Sequence, residues 1–160
     1  MEAIGRQTGL KTPAEREFTM TSVIDAPREV VFKAAFDPAL IPQWWGPHTL
    51  TTRVDHLELR PGGAWRFVQH DAQGKEHAFH GTYQEVDAPN RVEYTFEYEA
   101  MPGDVIVETV LFEDEGGKTR VTFIDHFADK ETRDAAMKEG MEAGAKESME
   151  RFAALMAGRR

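Results

Sequence analysis

The side chains able to move protons or hold metal ions are spaced in ways that limit what they can do. The chain has six histidines and no cysteine, so a thiolate nucleophile, a thiolate metal site and a disulfide framework are all excluded. His77 and His80 are three residues apart in a stretch that reads as a strand, where they face opposite sides and cannot share one ion. His48, His56, His70 and His126 are scattered without ligand spacing, so no metal and no cofactor are expected. Glu108 stands out because its neighbours are Val105, Ile106, Val107, Val110 and Leu111, and Asp125 lies in a later strand just before His126. A carboxyl turned inward from either strand could serve as an acid or base, although most such groups only hydrogen-bond or face water. No nucleophile elbow, phosphate-binding loop or dinucleotide fingerprint is present, since Gly62-Gly63 and Gly116-Gly117 read as hairpin turns. No catalytic residue is therefore assigned.

These residues must be positioned by the elements around them. Glu17 to Ile24 is rich in β-branched and aromatic residues and reads as a strand, and Asp25-Ala26-Pro27 opens a helix with Pro in its first turn. That helix should stop near Phe36, and Asp37-Pro38 starts a second short one containing Leu40, Ile41, Trp44 and Trp45, ended by Gly46-Pro47. Six further strands follow near residues 51–59, 64–70, 76–86, 91–99, 104–113 and 118–127, each break carrying Gly or Pro. From the N-cap candidate Asp129 onward, apolar residues at helical spacing predict one long amphipathic helix. The expectation is an α+β fold of the helix-grip kind: a curved seven-stranded antiparallel sheet wrapped around the C-terminal helix. Residues 1–16 are expected to be a flexible tail and 17–160 a single domain.

Alternation within the strands places Val92, Tyr94, Phe96 and Tyr98 on one face, Trp65 and Phe67 on one face of another strand, and His77, Phe79, Gly81 and Tyr83 on one face of a third. An aromatic inner face results, and each single ring is also ordinary core filler. Gly140 and Gly144, mid-helix in this reading, either let the helix lie close to the sheet or leave space for a guest, and Met137 and Met141 adapt to irregular shapes. The candidate ligand-binding set is Trp44, Trp45, Trp65, Phe67, His77, Phe79, Tyr83, Tyr94, Phe96, Glu108, Met137 and Met141, with the Trp44-Trp45 pair near the entrance.

Composition narrows the partners. Nineteen basic against 28 acidic residues give a net charge of −9, and no basic run offers phosphates a landing site, so nucleic acid is not expected. Residues 1–16 carry charges without an apolar stretch, and no segment approaches the roughly 20 apolar residues of a membrane span. The expectation is a cytoplasmic protein without membrane insertion, and monomer and homodimer are both compatible with guarded strand edges.

Motifs along the chain also resemble a known family. Ile24 to Phe32 is similar to the opening strand-to-helix signature of the START-like or SRPBCC superfamily, in particular its branch named after the activator of the heat-shock protein 90 ATPase. Trp44-Trp45-Gly46-Pro47 resembles its tryptophan motif, and Pro61-Gly62-Gly63 with Gly81 to Val86 its central hairpins. Glu108 to Glu113 and Arg133 to Gly144 continue the likeness, which spans about Phe18 to Met156. The resemblance implies a deep cavity between sheet and C-terminal helix that binds a hydrophobic compound, and the branch name implies a chaperone partner and the stress response. Two other readings stand beside the binding protein. One is a cyclase, dehydratase or hydrolase using His77, Tyr83, Glu108 or Asp125 in the same cavity. The other is a protein-interaction module working through an exposed apolar patch.

Overall fold

The computed structural model describes residues 14–157. Of the expected tail, residues 1–13 lie outside the described residues, and Ala14–Arg16 is a 3₁₀ turn leading into the first strand. The strands are β1 (Glu17–Ile24), β2 (Thr51–Leu57), β3 (Ala64–His70), β4 (Glu76–Asp87), β5 (Arg91–Tyr98), β6 (Ile106–Glu115) and β7 (Lys118–His126). All neighbours pair antiparallel in the order β1-β7-β6-β5-β4-β3-β2. Because β1 and β2 are opposite edges, the chain between them must cross from one side of the sheet to the other. It does so through the helix α1 (Arg28–Ala35) and a 3₁₀ turn at Ile41–Gln43, which leave Trp45 over the β3–β5 aromatics and Trp44 against Phe152.

Two features of the sequence bend the sheet. The β4–β5 ladder shifts register between Tyr83 and Glu85, and a bulge of that kind increases local twist. Two residues earlier, Gly81 admits the Thr95 backbone of β5 and the Trp65 ring of β3, since a Cβ there would lie 1.8 Å from the Thr95 carbonyl oxygen and 2.6 Å from Trp65 Nε1. With no side chain in the way, the Trp65 indole donates to Thr95 O at 3.2 Å.

Two expected elements differ. The second short helix after β1 is only the single turn Ile41–Gln43, with the two tryptophans following it, because Gly46 with its positive φ and Pro47 prevent the turn from lengthening. The expected single C-terminal helix is divided into α2 (Lys130–Lys138) and α3 (Met141–Met156). Gly140 separates them with φ of 92°, a left-handed conformation that ends a helix, so it is an interhelical joint rather than a mid-helix residue. Asp129 is the N-cap of α2, accepting from Thr132 N at 2.7 Å. The 16-residue α3 is the long helix held by the sheet, and its Met149, Phe152 and Met156 are buried.

The core runs along the inner faces of β3 to β7 and beneath α1 and α3, where Phe32 meets Phe112 and Trp44 meets Phe152 edge-on at centroid distances of 5.0 and 4.9 Å. No helix among the described residues is long and apolar enough to cross a membrane.

Candidate functional site

The inner face is not filled uniformly. Toward α1, the aromatics close up around a void of only about 40 Å³, which is room for little more than water. Trp65, Phe67 and Tyr83 border this void, with Trp65 and Phe67 at 4.9 Å and Tyr83 set edge-on to Tyr94 at 5.7 Å. Burial pushes the Tyr83 hydroxyl far above its ordinary titration range.

Toward α2 and the first turns of α3, the sheet and helices stand apart and leave a hollow of about 760 Å³, a size typical of sites that enclose a drug-sized molecule. Of the twelve residues expected at the site, Trp44, Trp45, Phe79, Tyr94, Phe96, Glu108 and Met141 border it. Trp65, Phe67 and Tyr83 do not, being packed into the aromatic layer behind, because the Trp45 ring lies over Phe67 and Phe79 at 5.1 and 5.4 Å. Met137 on α2 does not border the hollow. His77 sits one layer out, with Nδ1 2.9 Å from the Tyr98 hydroxyl and Nε2 3.3 Å from Asp71 Oδ2, and it is Tyr98 that borders the hollow. His80 faces the opposite side, toward Glu97 and Glu99, as strand alternation requires.

Strand register explains the polar part of the floor. Tyr94 on β5, Glu108 on β6, Asp125 on β7 and Phe18 on β1 are direct cross-strand partners, so one row of the sheet carries three polar groups inward. The Tyr94 hydroxyl donates to Glu108 Oε1, and the carboxyls of Glu108 and Asp125 hydrogen-bond to each other. Two carboxyls can do so only if one of them keeps a proton. Asp125 is 4% exposed, and burial, reinforced by the neighbouring Glu108, raises its pKa well above the usual carboxylate range. Burial, and then Glu108, likewise drives the Tyr94 hydroxyl upward. Asp125 Oδ1 has no hydrogen-bond partner among the described residues, and neither has Trp44 Nε1.

Gly144 bears on the question of space. A Cβ built there would meet nothing within 4 Å, and the residue borders the hollow, so this glycine opens room rather than permitting close packing. Further along the same face, α3 is tied down. Ser148 Oγ accepts from Gly46 N at 2.8 Å, Glu147 accepts from His48 N at 2.9 Å, and Arg151 donates to the carbonyls of Gly46 and Gln43 at 2.6 and 3.0 Å.

Sequence reasoning missed several walls of the hollow, among them Phe18 and Met20 on β1, Phe123 on β7 and Ala136 on α2. The alternation Phe18, Met20 and the alternation Phe123, Asp125 carried the signal for the strands. No comparable pattern marked the α2 residues.

A curved antiparallel sheet with a long C-terminal helix across its concave face is the helix-grip fold of the START/SRPBCC superfamily. Residues 25–157 match the profile of the family described as activator of Hsp90 ATPase homolog 1-like protein, and the chain belongs to that family. No curated protein matches the sequence. Among solved structures, protein Ms6760 of Mycobacterium smegmatis is similar over 89% of this chain and 91% of its own, at 23% identity and a TM-score of 0.80. A protein of Arthrobacter aurescens is similar over 90% and 87%, at 24% identity and a TM-score of 0.83. An AHSA1 protein of Silicibacter pomeroyi is similar over 90% and 99%, at 22% identity and a TM-score of 0.75. At these identities the likeness is one of fold.

Proposed function

We propose that this chain is a binding protein that encloses one small, largely apolar molecule between the sheet and the helices α2 and α3. The observation that carries the proposal is the hollow of about 760 Å³, walled by Trp44, Trp45, Phe79 and Phe96 and left open at Gly144. Burying apolar surface there contributes about 25 cal/mol per Å² before the cost of association. The family supports the same reading, since ligand binding in a cavity is known for this fold. In this reading Trp65, Phe67 and Tyr83 act from behind, fixing the rings that touch the guest.

The test is titration with Nile red, a neutral dye whose emission rises in apolar surroundings, against the protein and against Gly144→Leu. Saturable binding by the protein, weakened about tenfold or more in a variant whose thermal stability is not lowered, is expected from filling a preformed pocket. Absence of saturable binding, or equal binding by both proteins, refutes the proposal.

One observation favours an enzyme as the second reading. Of the four candidate proton-transfer groups, Glu108 and Asp125 meet at one point of the hollow, whereas His77 and Tyr83 lie elsewhere. A carboxyl pair sharing one proton is suited to acid–base work, and turnover of a bound compound that is lost in Glu108→Gln would favour this reading. The interaction-module reading has less support, since the exposed large hydrophobic residues, Val23, Met101 and Val105, fall on the outer end of β1 and on the β5–β6 loop.

A further inference from the structure

The charged residues that border the hollow are all of one sign. Asp104, Glu108, Asp125, Glu131 and Glu139 contribute carboxyls, and no Lys, Arg or His borders it among the described residues. They form two tiers. Asp104 on the β5–β6 loop, Glu131 on α2 and Glu139 at its C-cap are exposed at the rim, while Glu108 and Asp125 lie in the floor. The rim repels anions and raises the local concentration of cations.

The floor is more selective. Glu108 and Asp125 are cross-strand partners inside an aromatic chamber, where carboxylate charge without a cationic partner is costly. Tyr94 donates to only one of their oxygens, Glu108 Oε1, and Asp125 Oδ1 is a buried acceptor without a donor among the described residues. A buried acceptor left without a donor adds to the cost of that charge. A neutral hydroxyl would supply the donor but leave the charge uncompensated, and a carboxylate would add a second negative charge. An ammonium supplies both the donors and the compensating charge.

On the basis of the binding reading above, we propose that the ligand is a cationic amphiphile. Its protonated amine sits against Glu108 and Asp125, and its apolar body lies along Trp45, Phe79 and Phe96. The amine takes the floor and the hydrocarbon takes the aromatic wall, which fits a molecule with its charge at one end.

Three probes with the same apolar body separate the contributions: 4-phenylbutylamine, 4-phenylbutan-1-ol and 4-phenylbutyrate, titrated calorimetrically into the full chain at neutral pH. The amine is expected to bind about tenfold or more tightly than the alcohol, and the carboxylate most weakly, in line with the strength of charge-assisted hydrogen bonds. In the double variant Glu108→Gln, Asp125→Asn, which keeps the shape of both side chains, the amine's advantage over the alcohol should shrink to within about threefold. In Glu131→Gln, Glu139→Gln the advantage should persist and its salt dependence should weaken. Equal or tighter binding of the alcohol or carboxylate overturns the proposal, as does an amine preference that survives the floor variant or is lost only in the rim variant. Nile red keeps this failure distinct from failure of the binding reading. Dye binding without amine preference overturns the amine alone, whereas a protein that excludes the dye loses both.

Discussion

Replacing Asp125 by Asn should change how stability depends on pH more than it changes stability itself. Asp125 hydrogen-bonds Glu108 while 4% exposed, and its raised pKa means that the folded protein keeps a proton the unfolded chain gives up near the ordinary value of about 4. From that value upward to the raised one, the native state binds one more proton than the unfolded state. Stability therefore falls as pH rises, by about 1.4 kcal/mol per pH unit for this single proton. Below the ordinary value both states are protonated, so the slope vanishes and the stability is at its full value. Asn has the shape of the protonated acid and keeps a donor toward Glu108, so Asp125→Asn should fold and should lack this slope. Urea unfolding of both proteins at several values between about pH 5 and pH 8, read as midpoint and m-value, gives the difference curve. Groups shared by the two proteins cancel in it, including Glu93, whose pKa burial also raises. The variant should gain on the native protein as pH rises above the ordinary carboxylate range. Parallel curves would refute the shared-proton account of the floor.

Two glycine predictions follow from local geometry. Gly81→Ala places a Cβ 1.8 Å from Thr95 O and 2.6 Å from Trp65 Nε1, so it should cost about 3 kcal/mol through overpacking and the orphaned indole N–H; urea denaturation together with tryptophan fluorescence checks it, and a loss below about 1 kcal/mol would refute it. Gly140 and Gly144 should respond in opposite directions, because the first is left-handed at φ of 92° with open space around it and the second is helical with open space around it. Gly140→Ala should destabilise by about 1 kcal/mol and Gly144→Ala stabilise by up to about 1 kcal/mol, measured as thermal midpoints.

The fold was readable because each strand break carries Gly or Pro and each inner face alternates. Trp65 with Phe67 and Tyr94 with Phe96 project inward as alternation demands. Asp129 also behaves as the cap its residue type suggests. The joint at Gly140 was hidden because apolar spacing continues through it, and periodicity alone does not separate a helical glycine from a left-handed one. The site was legible in part. Which strands face the interior can be read from period two, but the division of that interior into a packed aromatic layer and a hollow depends on how far each helix stands from the sheet. Trp65, Phe67 and Tyr83 fell on the packed side for that reason. The pairing of Glu108 with Asp125 depends on the β6–β7 register, which one residue of slip would have destroyed.

The ties between α3 and the tryptophan segment give the hollow one stiff wall and one compliant wall. Prising Trp44 and Trp45 from α3 would sever the bonds made by Glu147, Ser148 and Arg151 and uncover the Trp44–Phe152 contact. α2 resists displacement far less, since none of its residues is buried, its tether to β1 is the Arg133 bond to Glu17 O at 3.1 Å, and it meets α3 through a glycine. Mechanical compliance is thus concentrated on the wall that carries Glu131 and Glu139. A guest larger than the hollow would be accommodated by yielding of α2, leaving the tryptophans as the fixed reference against which its apolar end is measured.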